Sequence, residues 1–373
     1  MRIKNAEVFD TEKGFVHKDV VIGADGRIGS TGAANEDLDA AGLYAIPGLV
    51  DVHFHGCVGH DFCEGTEEAI QAMADYEASV GVLAICPATM TYSEEILSKI
   101  ADAAVAHKNE KGADLIGINM EGPFISPNKI GAQNPDYLHA PDVDMFRRLQ
   151  ARSGNLFKLC DVAPEEPGAF EFIQAVKNEV NVSIAHTCTD YDTAVKAFDA
   201  GANHMTHLYN AMPGINHRNP GPIPAALDKE AFVELITDNV HIHPAVVRMT
   251  FKMFGDDKVV LIADSMEAAG LPDGEYSLGG QSVTKKGRRA TLTRDPGVIA
   301  GSATDLMDCM RHAVQEMDIP LASAVRAASY NPARSIGVDA DYGSLKDGRW
   351  GNVLLLDKDL NLVHIIQKGK LVK

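Results

Sequence analysis

Histidines and carboxylates stand at the ends of apolar, β-branched runs in this 373-residue chain. Five runs end in such residues, namely His53 with His55, Glu121, His186, His207 and Asp264. His53 and His55 are separated by one residue, so both imidazoles would point to the same side of a strand. Imidazole nitrogens and carboxylate oxygens are suitable ligands for Zn, Fe, Mn or Co. The residue types therefore predict a site for a divalent metal.

Each of these residues also has a common structural role when it is considered alone. A single buried histidine usually has a hydrogen-bond partner, and Asp264 could cap a helix or act as a general base. A buried Glu121 needs a cation or hydrogen bonds, because burying an unpaired carboxylate is costly. The joint pattern favours convergence on a metal with a position left open for water. No lysine ends the fourth run, which leaves Glu121 as the candidate bridging ligand.

Eight apolar runs would position these side chains. They end at His53–His55, Pro87–Thr89, Met120–Glu121, Asp161–Ala163, Ala185–His186, Thr206–His207, Thr237–Asp238 and Ala263–Asp264. Helical patterns separate most of them, at Glu67–Val80, Glu94–Lys108, Val143–Arg152, Ala169–Asn178, Tyr191–Ala200 and His243–Phe254. The segment after the sixth run is instead rich in Gly and Pro. Eight successive βα units predict an α/β protein with a closed, TIM-like (β/α)8 barrel, in which chemistry occurs at the C-terminal strand ends.

The two ends of the chain have a different pattern from the middle. Lys18–Ile22, Trp350–Leu356 and Leu362–Gln367 favour strands. We therefore predict a small β-sandwich domain built from residues 1–47 and 337–373, and a barrel over residues 48–336. Within the barrel, residues 271–301 predict a β excursion, and helices are expected at 303–317 and 321–335. No Gly-x-Gly-x-x-Gly motif follows the first strand, which disfavours a dinucleotide fold.

The composition excludes several classes of protein. Hydrophobic residues make up 45% of the chain and charged residues 23%, which supplies a large core and excludes disorder. A net charge of −18 disfavours nucleic acid and anionic membranes as partners. The N-terminus lacks the apolar segment of a signal peptide, and no apolar run approaches the ~18 residues of a membrane span. With six scattered cysteines and no Cys-x-x-Cys pair, we expect a cytoplasmic protein with reduced thiols.

Longer motifs at the strand ends are more specific than the residue types. They are Pro47 to Gly56, Glu121 to Phe124, Ala185 to Thr187, His207 to Met212, His217 to Gly221, Ala263 to Met266 and Ala268 to Leu271. With these motifs the chain resembles the amidohydrolase superfamily and, within it, the N-acetylglucosamine-6-phosphate deacetylase family. The resemblance spans essentially the whole chain. The His-x-His pair indicates only the superfamily, whereas the HLYNAM and EGPF motifs indicate the deacetylases.

The resemblance implies a reaction and a role for each metal-site residue. The family uses a divalent metal to activate a water molecule, which hydrolyses the N-acetyl group of N-acetylglucosamine 6-phosphate to give glucosamine 6-phosphate and acetate. Glu121, His186 and His207 match the principal metal ligands. Asp264 matches the residue that deprotonates the water and then protonates the departing amine. Some members lack the first histidine pair and hold one metal, so His53 and His55 leave one or two metal ions open here.

By the same resemblance, the residues expected to bind the substrate are Gln133, Asn210, Ala211, Arg218 and His241. Arg218 and His241 match phosphate ligands, and Arg218 is expected to reach the neighbouring site in a homodimer. Gln133 stands where many members have a histidine, and it hydrogen-bonds without becoming a cation. This difference leaves N-acetylgalactosamine 6-phosphate open as the substrate. Another amidohydrolase activity and a non-catalytic scaffold are weaker alternatives.

Overall fold

The computed structural model of the chain describes residues 1–30 and 36–373. Parallel strands at its centre alternate with helices and form two sheets, of three and six strands. The three-stranded sheet contains Leu49–Asp51, Val82–Ile85 and Asp114–Leu115. The six-stranded sheet contains Ile118–Met120, Phe157–Val162, Asn181–Ile184, His204–Met205, Phe232–Ile236 and Val259–Ile262. This arrangement has the α/β class that the sequence predicts.

The third predicted strand is divided between the two sheets. Asp114–Leu115 pairs with Val82–Ile85, whereas Ile118–Met120 pairs with Phe157–Val162. Gly117 lies at the break, where a Cβ atom would come within 2.5 Å of the Lys158 side chain and 3.2 Å of the Leu156 oxygen. Only glycine therefore fits between these neighbours.

Backbone hydrogen bonds also join the edges of the two parallel sheets. At one junction, the Thr89 amide donates to the Asn119 oxygen over 2.9 Å. At the other, the Asp264 amide donates to the His53 oxygen over 2.8 Å, and the His55 amide donates to the Ser265 oxygen over 2.7 Å. The first and last parallel strands thus meet at residues of the predicted site. The fully closed eight-stranded barrel stays a prediction.

Helices follow the parallel strands and bury their apolar faces against them. Their bounds are Glu67–Ser79, Glu94–Ala106, Val143–Arg152, Ala169–Val176, Tyr191–Ala200, Pro222–Asp228, Pro244–Phe254, Leu306–Gln315, Leu321–Ala328 and Tyr330–Ser335. Side-chain oxygens of Thr66, Ser93, Asp142 and Asp190 accept amide hydrogens at the helix starts and satisfy donors that the helix cannot. Within the described ranges, no helix is both long and apolar enough to cross a membrane.

Two segments differ from the helices that the sequence predicts. The single helix expected at 321–335 is interrupted at Ser329, because Pro332 has no amide hydrogen to donate to the preceding turn. The Gly- and Pro-rich segment after the sixth run contains the helix Pro222–Asp228. Pro222 occupies its first position, where the missing amide hydrogen would have no helical partner.

Strands from both chain ends form one seven-stranded sheet. They are Arg2–Asp10, Gly14–Val21, Asp37–Asp39, Tyr44–Pro47, Val353–Leu356, Leu362–Gln367 and Lys370–Leu371. Tyr44–Pro47 pairs antiparallel with Val353–Leu356, which places Ala45 opposite Leu355. Buried side chains that include Ile3 and Leu355 form a core of their own. A β-sandwich and the domain boundaries at residues 47 and 337 stay predictions.

Four antiparallel strands follow the last parallel strand, within the segment where the sequence predicts a β excursion. They are Gly274–Leu278, Gln281–Lys286, Arg289–Leu292 and Asp295–Ile299. The buried Nζ of Lys285 donates to the backbone oxygens of Ala268, over 3.0 Å, and Leu271. These hydrogen bonds join the four-stranded β excursion to the segment that follows Asp264.

Candidate metal centre and substrate cavity

A cavity of about 480 Å³ opens where the parallel strands end. Of the residues predicted to bind metal or transfer protons, five line it, namely His55, Glu121, His186, His207 and Asp264. His53 lies behind this wall and is fully buried. The structure therefore brings together all six predicted residues, although they belong to five separate strand ends.

Glu121, His186 and His207 form the first group of converging ligand atoms. Glu121 Oε1 lies 3.0 Å from His186 Nε2 and 3.1 Å from His207 Nε2, and the two nitrogens are 3.1 Å apart. His186 Nδ1 donates to the Lys129 backbone oxygen over 2.7 Å, which leaves the lone pair of Nε2 facing the other two ligands. Three buried electron-pair donors at this spacing can hold a divalent cation.

His53, His55 and Asp264 form a second group beside the first. His55 Nε2 lies 3.3 Å from Asp264 Oδ1 and 3.1 Å from Glu121 Oε2. His53 Nε2 is 3.7 Å from the same two oxygens. Glu121 thus directs one oxygen to each group.

Unpartnered buried atoms in this region also fit a cation. His53 Nε2 and Glu121 Oε2 are buried and have no hydrogen-bond partner. A buried polar atom without a partner costs about 1–3 kcal/mol, so such atoms are uncommon unless they bind something else. Both atoms face the space between the two groups.

The charges of the two carboxylates depend on the neighbouring histidines. Burial alone would raise the pKa of Glu121, but its interactions with His53, His186 and His207 hold this pKa well below its usual range. Burial likewise opposes ionisation of Asp264, yet the hydrogen bond from His55 and the proximity of His53 lower its pKa. Both groups are therefore carboxylates at neutral pH, able to bind a cation or accept a proton.

Three residues of the two groups have backbone conformations that L-amino acids rarely adopt. The φ angles are +41° at His186, +29° at His207 and +47° at Asp264. Such conformations cost of order 1–3 kcal/mol and cluster at functional sites, where surrounding contacts maintain them. In this protein the rare conformations occur at strand ends, in residues whose side chains face the cavity.

The predicted substrate-binding residues divide into two sets. Gln133, Asn210, Ala211 and His241 line the cavity. Gln133 is buried, and its Oε1 accepts the Thr91 amide over 2.7 Å. Arg218 does not line the cavity, because it lies on an exposed loop where its guanidinium contacts His217 Nε2 at 2.7 Å. Within one protomer, all of the predicted substrate-binding residues except Arg218 therefore line the cavity.

His241 is a cavity residue that can bind an anion. Its Nδ1 lies 2.8 Å from Asp238 Oδ2, and Asp238 Oδ1 also accepts the backbone amides of Val240 and His241. Burial lowers the pKa of His241, but the hydrogen bond to Asp238 and the carboxylate charge outweigh burial and raise it. The imidazole is therefore stabilised as a cation at the cavity wall.

The sequence analysis missed several residues that contribute to the site. Met90 and the excursion residues Leu278, Val298 and Ile299 line the cavity, but an apolar residue gives no chemical signal in a sequence. Glu234 is fully buried and contacts His53 and the His207 amide. Its only signal is a carboxylate in the middle of the apolar strand Phe232–Ile236, away from any strand end.

Comparisons with known proteins show matches over most of the chain. The sequence profile of the amidohydrolase family matches residues 44–372. The chain is 35% identical over 333 residues to N-acetylglucosamine-6-phosphate deacetylase of Bacillus subtilis, covering 87% of this chain and 84% of that relative. It is 34% identical over 331 residues to N-acetylgalactosamine-6-phosphate deacetylase of Escherichia coli O157:H7, covering 87% and 86%.

Solved structures match the fold along its whole length. One is a mutant of N-acetyl-D-glucosamine-6-phosphate deacetylase from Mycobacterium smegmatis in complex with N-acetyl-D-glucosamine-6-phosphate, with a TM-score of 0.91 and 28% identity over 100% of this chain and 99% of that one. The enzyme of the same name from Thermotoga maritima has a TM-score of 0.88 and 28% identity over the same shares.

Proposed function

The chain belongs to the amidohydrolase family, and we propose that it hydrolyses the N-acetyl group of N-acetylglucosamine 6-phosphate to glucosamine 6-phosphate and acetate. The observation that carries this proposal is the convergence of Glu121, His186, His207 and Asp264 on one cavity that also contains His241. The first four residues supply amide hydrolysis, and His241 supplies anion recognition. The similarity to the N-acetylglucosamine-6-phosphate deacetylases of Bacillus subtilis and Mycobacterium smegmatis supports the same substrate class.

Two divalent ions fit the ligand set. Glu121, His186 and His207 would hold one, and His53, His55 and Asp264 would hold the other, with the second oxygen of Glu121 between them. Nitrogen and oxygen donors of this kind suit Zn, Fe, Mn or Co. When bound, such ions polarise an amide carbonyl and lower the pKa of water. The orphaned atoms of His53 and Glu121 support this arrangement.

Asp264 transfers the proton from water to the amide nitrogen in this reaction. Its lowered pKa keeps it a carboxylate, so it can accept the proton of the attacking water while the hydroxyl oxygen bonds to the acetyl carbon. The same proton then passes to the amide nitrogen as the carbon–nitrogen bond breaks. The sugar leaves as the amine, and the acetyl group leaves as acetate.

A homodimer would complete the phosphate site. His241 is available from within the protomer, whereas Arg218 lies on the exposed loop 214–219 and away from the cavity of its own chain. The planar guanidinium binds phosphate oxygens in a bidentate manner. We place Arg218 in the neighbouring site, where it and His241 would hold the substrate phosphate from two sides.

We also propose an architecture and a cellular location for this protein. The two parallel sheets would form one closed (β/α)8 barrel, supported by the backbone hydrogen bonds at both junctions. A terminal β-sandwich domain is supported by the pairing of both chain ends in one sheet and by their separate core. A cytoplasmic location is supported by six unpaired cysteines.

A turnover assay tests the reaction and the substrate together. Metal-reconstituted protein is given N-acetylglucosamine 6-phosphate, its galacto epimer and unphosphorylated N-acetylglucosamine, and release of free amine is followed. We expect the gluco phosphate to react fastest and the sugar without phosphate to react poorly. No release from any of the three would contradict the proposal.

Two observations favour a second candidate substrate. Gln133 is a neutral residue on the cavity wall, and the chain is 34% identical to an N-acetylgalactosamine-6-phosphate deacetylase. Faster release from the galacto epimer would assign that substrate and keep the same chemistry.

A further inference from the structure

Glu234 is a fully buried carboxylate that contacts both groups of candidate metal ligands. Its Oε2 lies 3.0 Å from His53 Nδ1 and also accepts the His207 backbone amide over 3.0 Å. Its Oε1 lies 3.0 Å from His204 Nε2, and its backbone oxygen accepts the Leu208 amide over 2.9 Å. Both carboxylate oxygens are therefore held in place.

The contact with His53 decides which nitrogen of that imidazole carries hydrogen. A carboxylate oxygen can only accept, so His53 Nδ1 must donate to Glu234. The lone pair of His53 is then left on Nε2, which is buried, unpartnered and 3.7 Å from oxygens of both Glu121 and Asp264. Glu234 thus presents His53 in the state that a metal ligand requires.

The first group depends on Glu234 much less. His186 is oriented by the Lys129 backbone oxygen, and His207 meets Glu234 through its backbone amide instead of its ring. Loss of the Glu234 carboxylate would free the ring of His53 and leave the His186 ring held as before. The two metal positions can therefore be separated by changing this single residue.

We propose that Glu234 is the positioning residue that makes His53, His55 and Asp264 a second metal position. This inference rests on the proposed function in so far as the two ligand groups bind metal. His204 contributes by engaging Oε1, which leaves Oε2 for His53. Hydrogen-bond partners of this kind typically change metal affinity by about 10–100-fold when they are removed.

Metal content of purified variants tests the inference without reference to activity. We expect two ions per chain in the natural protein, and binding of the second ion weakened about 10–100-fold in Glu234→Met, which has no carboxylate. Glu234→Gln keeps an amide oxygen that can accept from His53, so it should retain part of the affinity. Glu77→Met is the matched control, because Glu77 is also fully buried and makes no hydrogen bond to any of these residues. It should bind two ions.

Several outcomes would overturn the inference. They are one ion in the natural protein, two ions bound with unchanged affinity in Glu234→Met, or loss of both ions together in that variant while it stays folded by circular dichroism. If Glu234→Met does not fold, nitrogen-15 spectra of the natural protein loaded with zinc decide the question. We expect hydrogen on His53 Nδ1, and hydrogen on Nε2 would refute the inference. Failure of the proposed function is a separate result, namely a protein with both ions that releases no amine.

Discussion

Protonation states of single residues determine what this cavity can do. Asp264 is buried and surrounded by imidazoles that lower its pKa, so it can accept a proton. Glu121 is likewise held as a carboxylate by its histidine neighbours and lies between the two ligand groups. Among the candidate ligands, His53 and His186 each have a fixed Nδ1 partner and present Nε2 to the centre. The chemistry thus follows from which atoms carry hydrogen.

Removal of the Asp264 carboxylate should abolish most of the turnover. Asp264→Asn keeps the size of the side chain but cannot accept the proton of water, so we expect kcat to fall by about 10²–10⁴-fold. The measurement is kcat on N-acetylglucosamine 6-phosphate, with bound metal determined on the same sample. Full activity with metal bound would show that another group transfers the proton.

His241 should make substrate binding depend on pH. Its cationic form binds phosphate and exists below its raised pKa, so KM for the phosphorylated substrate should rise as the pH increases through that pKa. Asp238→Asn removes the carboxylate that stabilises the cation, and the rise should begin at a lower pH. KM profiles of both proteins provide the measurement.

The unphosphorylated sugar serves as the control for this pH effect. The KM of the unphosphorylated sugar should have the same pH profile in both proteins, because this sugar has no phosphate for the His241 cation to bind. Identical KM profiles for the phosphorylated substrate in Asp238→Asn and in the natural protein would refute the role of His241.

The individual site residues differ in how far the sequence could predict them. Histidines and acids that end apolar runs were predictable, because parallel strands deliver their C-terminal residues to one face. Glu234 was not, since it lies in mid-strand and its role depends on a contact with His53, which is 181 positions away in the chain. The contact between Asp238 and His241 is local, but its orientation toward the cavity depends on the packed strands.

Helices and strands of this chain are positioned by capping groups as well as by packing. The helices Val143–Arg152 and Tyr191–Ala200 have the bounds that the sequence predicts, since Asp142 and Asp190 cap their starts. The break at Ser329 was missed although Pro332 marks it in the sequence. The division of the third strand was missed because it depends on the different strands with which its two halves pair. Local chemistry thus accounts for the helix ends and the helix break, and tertiary pairing accounts for the divided strand.

The cap at Asp190 should contribute measurably to stability. Its carboxylate accepts the Thr193 amide over 2.8 Å at the start of the helix that follows His186. Asp190→Ala removes this acceptor and should lower the free energy of unfolding by about 1 kcal/mol. Chemical denaturation provides the measurement. Asparagine also caps helices well, so the free energy of unfolding of Asp190→Asn should be close to that of the natural protein. Equal losses of this free energy in both variants would contradict the capping role.

At the scale of the whole molecule, the acidic chain exposes a loop with a cationic residue that its own cavity does not use. Residues 214–219 are exposed and include His217 and Arg218. The net charge of −18 makes this local cation distinctive for an anionic ligand. The role proposed for Arg218 depends on a second copy of the chain, and only the resemblance to the deacetylases predicts it.

Mixed dimers should reveal the shared site. Arg218→Ala and Asp264→Asn proteins are each expected to have very low activity, and after subunits are exchanged about a quarter of the natural activity should return, since half of the dimers then have one intact site of two. Activity before and after exchange is the measurement. If each variant is folded and the mixture remains inactive, Arg218 does not act across an interface.

Metal removal should lower the stability of the entire fold. The ligands come from five strand ends, so a bound ion holds these strands together, and a ligand present at 100 times its Kd adds about 2.7 kcal/mol to the free energy of unfolding. Chelation should lower Tm, and added metal should restore it. Glu121→Gln lacks the carboxylate that lies between the two ligand groups, so chelation should lower its Tm less. An unchanged Tm on chelation of the natural protein would show that the ions do not support the fold.

The sheet made from both chain ends has a consequence for synthesis. Tyr44–Pro47 leaves the ribosome long before Val353–Leu356, the strand that covers its edge. Until then the nascent chain carries an open strand edge, which is a template for wrong pairing. A product cut short by an early stop codon keeps that open edge for good. The sheet therefore works as a check on synthesis, since only a chain translated through residues 353–356 can cover the edge of Tyr44–Pro47.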